Sequence, residues 1–274
     1  MIIAVDVGGT KTLVGSFQGE RQVVNEERFP TPHDERAFLR QLQATLQHFD
    51  ANNAQAICIA VPGIINRDGT VLRCANLPWV NFPLQKLLTA AFGCPIFINN
   101  DARLAGLAEA NSLPEIPPLC VYVTVSTGIG TGIITHGRLD PALANSEGGH
   151  MILQTSGGFR GWETFASGHA IRDEFGKLAA DIHDQTDWQI IVDELAIGFQ
   201  ALIPLLQPDV IVIGGSVGMY FERFGSLLVE TLTHRLTSYI DVPQIVQAKH
   251  PDEAVVYGCY YYATHQGTDS TASR

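Results

Sequence analysis

Two short segments of this 274-residue chain carry residue types suited to phosphate chemistry. The first is Asp6-Val7-Gly8-Gly9-Thr10-Lys11-Thr12. Glycine lets a backbone approach an anion closely, because no Cβ intervenes and successive N–H groups converge on it. Gly8 and Gly9 supply that turn, and Thr10, Lys11 and Thr12 add donors. Asp6 is placed to hold Mg²⁺ through water, as carboxylates commonly do. The second segment is Val125-Ser126-Thr127-Gly128-Ile129-Gly130-Thr131, where Thr127, Gly128 and Gly130 take the same role. An ordinary hairpin turn accounts for either segment alone; the pair favours phosphate binding. No GxxxxGK[ST] occurs, which excludes a P-loop. The second turn feeds a strand and not a helix, which argues against a dinucleotide fingerprint.

Three other constellations have a chemical reading beside a bland one. Asn99-Asn100-Asp101 ends a strand and opens a helix. Asn and Asp favour helix N-caps, yet the C-terminal end of a strand is also where α/β clefts bind ligands, and there Asp101 would serve as a general base. Glu147, His150 and Glu163 stand in a glycine-rich stretch and suit a polyhydroxylated ligand; alone they read as a solvated loop. Gly214–Gly218 matches GxSxG, the nucleophile elbow of hydrolases, after the buried run Val210–Ile213. Ser216 would be the nucleophile, with His234, His250 or His265 and Asp241 or Asp252 as partners. The chain remaining after it is too short for the later strands of a hydrolase sheet, and an esterase leaves both glycine turns unexplained.

These residues need an α/β scaffold to hold them, and strand and helix signals alternate accordingly. Ile2–Asp6, Thr12–Phe17 and Val23–Phe29 read as a β meander. Phe38, Leu39, Leu42, Leu46 and Phe49 recur at helical spacing, which predicts a helix over Asp34–Phe49. A strand at Ala56–Val61, a turn at Pro62-Gly63, a helix over Pro83–Phe92 and a strand at Pro95–Ile98 lead to the helix opening near Asp101. Pro114, Pro117 and Pro118 place a boundary before the strands Leu119–Ser126 and Gly132–Thr135. A helix over Trp188–Leu206, the strand Val210–Ile213, a helix from Met219 and a last helix over Asp252–Thr264 follow, with a frayed polar tail from Gly267. Both halves open with strand, glycine turn, strand. That repetition predicts two related lobes with a cleft between them, one turn on each side.

Composition narrows the function. The chain is 46% hydrophobic and 16% charged, so it can bury a core and is not disordered. Its 17 Lys and Arg against 28 Asp and Glu give a net charge of −11, which disfavours nucleic acid and acidic membranes as partners. The five cysteines form no CxxC and no close pair, the pattern of buried thiols in a reducing compartment. Residues 1–5 are too short an apolar run for a signal peptide, and no membrane span of about 20 apolar residues stands out. The expectation is a soluble, cytoplasmic protein.

Together these residues resemble the ROK family of sugar kinases, from Ile2 to about Thr264. Asp6–Thr12 looks like its first phosphate motif and Val125–Ile133 like its second. Pro62-Gly63 and Asn76-Leu77-Pro78-Trp79 match its sugar-side loops. Asn100-Asp101 matches its sugar-binding Asn and catalytic Asp, Glu147–His150 its E-x-G-H element, and Glu163–Gly168 its E-x-x-x-S-G element. Gly214-Gly215 resembles the turn beside the adenosine.

The resemblance implies an α/β, two-lobed, actin-like fold with a central cleft. Residues 1–117 would form the first lobe, joined by the final helix 252–265, and residues 118–251 the second. It also implies transfer of the γ-phosphoryl group of ATP, with Mg²⁺, to the primary hydroxyl of a glucose-like hexose or N-acetylhexosamine. Asn76, Asn100, Asp101, Glu147, His150 and Glu163 would bind the sugar, and a homodimer is common in the family. A polyphosphate donor, or a sugar-binding sensor without turnover, are the alternatives. Two departures stand out. Gln154, Ser156 and Gly161 occupy positions where the family usually places zinc-binding cysteines, so no zinc is expected, and packing by Phe159 and Trp162 would hold that loop. Ala142 and Leu143 stand where the family often has glycine. ROK repressors share the fold but carry an N-terminal DNA-binding segment, and this chain starts directly at its first strand.

Overall fold

The structure, a computed structural model, describes residues 1–19, 22–143, 145–250 and 253–272, and the side chains of these up to residue 266. The chain forms two compact units. One contains Met1–Ala108, Pro141–Asn145 and Asp252–Arg274; the other contains Glu109–Asp140 and Ser146–Pro251.

In the first unit, β1 (Ile2–Val7), β2 (Lys11–Phe17) and β3 (Val23–Pro30) form the expected meander. Helix α1 (Glu35–His48) follows, and its Asp34 cap accepts the Ala37 N–H at 2.8 Å. Its buried residues Phe38, Leu42, Thr45 and Leu46 form one stripe, as an amphipathic helix on a sheet requires. Strand β4 (Ala56–Val61) is buried along its whole length, because parallel neighbours and layers on both faces cover it. Short strands β5 (Gly63–Ile65), β6 (Val71–Cys74) and β7 (Val80–Phe82) make a small separate sheet. Helix α2 (Leu84–Thr89), strand β8 (Ile96–Asn100) and helix α3 (Asp101–Asn111) complete the run. The main sheet has the order β3-β2-β1-β4-β8. β1 is antiparallel to β2 and parallel to β4, and β4 is parallel to β8.

The second unit repeats that pattern. Strands β9 (Leu119–Val125), β10 (Ile129–Thr135) and β11 (Arg138–Leu139) are antiparallel neighbours, and with β14 (Val210–Gly214) and β15 (Gln244–Gln247) the sheet runs β11-β10-β9-β14-β15. Strands β12 (Ile152–Thr155) and β13 (Gly158–Gly161) form a hairpin. Short helix α4 (Glu163–Ala166), then α5 (Gly168–Phe175) and α6 (Gln185–Leu206), lead to β14 (Val210–Gly214), which is parallel to β9. Helices α7 (Gly215–Gly218) and α8 (Phe221–Arg235) precede the edge strand β15 (Gln244–Gln247). Helix α6 is long and apolar enough by composition to cross a membrane, contrary to the sequence reading. It packs instead as a core helix, burying Trp188, Val192, Leu195, Phe199 and Leu202.

The last helix, α9 (Ala254–Ala272), returns to the first unit. It reaches residue 272, so the tail expected to fray is helical that far. Asp252, its expected first residue, and residues 273–274 lie outside the described residues. The first unit ends at Ala108, inside α3 and ahead of the prolines that mark the boundary in the sequence. A helix can continue while the core it packs against changes, and Gly106, which α3 carries through without a break, does not mark that exchange in the sequence. The hairpin β12–β13, the small sheet β5–β7 and strand β15 are absent from the sequence reading; they are three or four residues long, with little alternation to betray them.

Candidate active site

In the first unit the N-terminal glycine turn joins β1 to β2. Gly8 uses its N–H internally, donating to Lys11 O at 3.0 Å, and its carbonyl accepts Thr31 Oγ1 at 2.8 Å. Thr12 is fully buried and its hydroxyl pairs with Thr31 Oγ1 at 2.9 Å. Both groups are engaged within the protein, so Thr12 and Gly8 brace the turn. Thr10 and Lys11 are exposed and Gly9 half-buried, so the donors that remain are theirs. A Cβ on Gly9 would lie 2.8 Å from Cβ of Asn76, so that exposed asparagine sits directly against the turn.

Strand β8 delivers Asn100 and Asp101. The helix cap is Asn100, whose Oδ1 accepts the Arg103 N–H at 3.1 Å while Nδ2 donates to Gly63 O at 3.0 Å. One side chain thus ties the start of α3 to the Pro62-Gly63 turn. Asp101 uses Oδ1 for the Ala102 N–H at 2.9 Å, and Oδ2 has no partner among the described residues. Burial raises the Asp101 pKa, opposed by the N–H groups of Ala102 and Asp101 and by the charge of Arg103. Asp6 is pushed up to about 7, first by burial and then by the Asp101 charge, with Lys11 opposing. Two neighbouring carboxylates in a poorly solvated place repel each other, and a divalent cation would relieve that cost. Among the described residues no three His, Cys, Asp or Glu side chains gather to hold a metal. A cation here would therefore complete its shell with water and substrate phosphate, as Mg²⁺ does.

The rise of Asp6 has a measurable consequence. Without added metal, the folded protein keeps a proton on Asp6 between about pH 4 and about pH 7, which the unfolded chain has released. Its contribution to stability is full below the unfolded value and is lost as pH rises through the folded one. Asp6→Asn is neutral throughout. Its gain in Tm over wild type is expected to be negligible at pH 4 and to grow towards pH 8; an equal difference at both values would refute the assignment.

In the second unit the turn between β9 and β10 is Ser126-Thr127-Gly128, closed by Ser126 N–H donating to Gly128 O at 2.9 Å. Thr127 is exposed at its tip. Gly130 lies within β10, opposite Thr124, and not in the turn as the motif suggested. Glycine lacks a side-chain preference for strands, so the pairing partner decides. Glu163 packs on this turn: a Cβ at Gly128 would come within 2.7 Å of its Oε2. Its Oε1 lies 3.3 Å from Nδ1 of His150. Glu147 precedes the short helical turn Gly148–His150, which docks on β10 through Gly148 N–H donating to Thr131 Oγ1 at 2.9 Å. Glu163, His150 and the second glycine turn are therefore one cluster.

Beside it lies a pocket of about 280 Å³, walled by Ser126, Thr127, Gly168, His169, Arg172, Leu178, Ala179, Ala180, Ser216, Val217 and Tyr220. Gly215, which precedes the lining residue Ser216, has φ +82°, and a Cβ there would lie 2.5 Å from Ser126 Oγ, Thr124 Oγ1 and Val125 O. Gly214 is packed as tightly against the ring and hydroxyl of Tyr122. Ser126 organises this wall: its Oγ accepts Ser216 N–H at 3.0 Å and its carbonyl accepts Gly168 N–H at 2.7 Å. Ser126 was legible as part of the second motif, but the 178–180 wall carried no sequence signal. Arg223 secures that wall by donating to Ala180 O and Ile182 O at 3.0 and 2.8 Å. Ser216 thus lines this pocket. Of the histidines weighed for a hydrolase triad, His234 turns to Glu230 O on its own helix, and Asp252 lies outside the described residues.

The hairpin β12–β13 carries Gln154 and Gly161 where thiolates were in question, with Ser156 in its loop. The five cysteines are buried and unpaired, on other elements. Of the two aromatic residues expected to hold the hairpin, Trp162 is fully buried but Phe159 is 76% exposed. Phe159 pairs with Gln154 on a hairpin of four residues a side, and both side chains stand exposed.

A model of the ROK family matches residues 2–266. The chain is 27% identical to an N-acetyl-D-glucosamine kinase of Escherichia coli O6:H1, over 95% of this chain and 98% of that one. Among solved structures it is similar to a ROK hexokinase from Thermus thermophilus, at 26% identity and TM-score 0.77, covering 98% and 99% of the two chains. An inorganic polyphosphate/ATP-glucomannokinase from Arthrobacter sp. strain KM matches at 27% identity and TM-score 0.72, covering 97% and 98%. With the repeated sheet topology and both glycine turns in place, the fold is the actin-like one, and the chain belongs to the ROK family.

Proposed function

We propose that the protein is a sugar kinase that transfers the γ-phosphoryl group of ATP to the primary hydroxyl of a glucose-like hexose or N-acetylhexosamine. The observation that carries this reading is Asp101: a carboxylate at a strand end, with one oxygen fixed by a backbone N–H and the other without a partner among the described residues. In that role Oδ2 accepts the proton of the attacking hydroxyl, so the oxygen advances on phosphorus as its negative charge develops. Asn76, Asn100, Glu147, His150 and Glu163 orient the sugar through its hydroxyls. The N–H groups of Gly9, Thr10 and Lys11 and those around Thr127 and Gly128 hold phosphate oxygens, and Gly214 and Gly215 border the base. A divalent cation near Asp6 supplies charge neutralisation on the transferring phosphate. Much of the rate then comes from holding the reactants in line.

The pocket lined by Ser216 and Val217 supports a nucleotide over polyphosphate, which has no ring to fill it. A coupled assay with ATP, polyphosphate and a hexose panel tests the whole reading. Phosphorylation of at least one sugar by ATP is expected. Turnover with polyphosphate alone would replace the donor, and sugar binding without turnover would make the protein a sensor.

Folding and the sugar site are also proposed to work without zinc. Prolonged chelation is expected to leave the Tm of the ligand-free protein unchanged and to remove only the turnover that added Mg²⁺ restores. A chelator-dependent fall in Tm would overturn this.

A further inference from the structure

His150 and Glu163 are thirteen residues apart in sequence, and the β12–β13 hairpin between them decides whether they meet. Its register pairs Ile152 with Gly161. One step further out, Trp162 N–H donates to Met151 O at 2.9 Å. A further step along that ladder sets His150 opposite Glu163, which is where their 3.3 Å contact lies. The hairpin has two short strands and an exposed loop, and its outer apolar residues, Ile152 and Phe159, are 67% and 76% exposed. Two-stranded ribbons of this size do not hold their register unaided.

What holds it is Trp162. The indole is fully buried, stands edge-on to Phe199 at 5.3 Å, and lies so close over Gly198 of α6 that a Cβ there would overlap the ring. Its Nε1 has no hydrogen-bond partner among the described residues, so shape and apolar contact, not polarity, seat it. Glycine inside a helix ordinarily costs stability. At position 198 it makes the notch.

We propose that Trp162, seated in the Gly198 notch, is a positioning residue that fixes the hairpin register and so brings His150 and Glu163 together for the sugar, with no metal in the linkage. This rests on the kinase reading for the ligand, not for the packing.

The test is Gly198→Ala in the full chain, read by tryptophan fluorescence and by separate titrations of sugar and ATP. Displacement of the indole is expected to raise the sugar KM by about 10-fold to 10²-fold, the scale of a misplacement near 1 Å, with the ATP KM unchanged. Adding Trp162→Phe, whose smaller ring leaves room for the new Cβ, is expected to restore the sugar KM. A displaced indole with an unchanged sugar KM, or equal rises for both substrates, would overturn the proposal. If Gly198→Ala does not fold, Trp162→Leu is judged by the same two KM values. If wild type phosphorylates no sugar, the kinase reading fails on its own, and calorimetric sugar binding by the same variants then decides the role of Trp162.

Discussion

Asp101→Asn is expected to lower kcat by about 10²–10⁴, the usual span for a lost general base, with sugar and ATP affinities within a few-fold of wild type. The asparagine keeps an oxygen for the Ala102 N–H, and the cap of α3 belongs to Asn100, so the fold has no reason to change. What is lost is a group able to take the hydroxyl proton. The pH profile gives an independent reading. Because burial raises the Asp101 pKa, the acid limb of kcat/KM should lie above the ordinary carboxylate range, with activity falling as pH drops through it. Activity within a few-fold of wild type, or an acid limb near pH 4 in the wild-type protein, would exclude Asp101 as the base.

Gly215→Ala is expected to raise the ATP KM at least about tenfold, a loss of roughly 1.4 kcal/mol, while calorimetric sugar binding stays as it was. Two costs combine. The backbone there has φ +82°, which a residue with a Cβ adopts at a penalty of roughly 1–2 kcal/mol. The Cβ would also meet Ser126 Oγ, Thr124 Oγ1 and Val125 O at 2.5 Å. None of these can retreat freely, since Ser126 Oγ holds the Ser216 N–H and Thr124 and Val125 belong to the paired strand β9. The turn itself must move, and the pocket edge moves with it. An unchanged ATP KM would show that this glycine turn does not border the nucleotide.

The meander β1–β3, helix α1, strand β4 and the run from β8 into α3 were legible because each has a clear hydrophobic period or a strong cap. The repetition of strand, glycine turn, strand foretold the shared sheet topology of the two units. Less legible was which polar atoms the fold itself consumes. Thr12 reads as a phosphate donor next to Lys11, but its alternation along β2 turns it inward to Thr31. Gly130 reads as part of a loop, but the partner strand claims it. Phe159 and Trp162 look equivalent in sequence; only the glycine on α6, far along the chain, distinguishes the buried ring from the exposed one. The pocket wall at 178–180 is built from alanines and a leucine, which carry no chemical signature until Arg223 and Tyr220 are placed beside them.

The return of α9 to the first unit bears on how the protein is made. Cys259 sits with its thiol against Val5 O at 3.8 Å, Tyr260 donates to Gly19 O at 3.2 Å, and Phe17 packs on the rings of Tyr257 and Tyr260. Gly258 lets the helix press onto the backbone of Leu104. All of these partners are translated long before α9. At roughly 5–20 residues per second, the first sheet must wait for the ribosome to deliver the helix that covers it. The second unit's chain lies almost wholly between those two events and can close its own core first. Nascent chains stalled before Ala254 should therefore leave the N-terminal sheet open to chaperones and proteases, while the later-made unit is already protected.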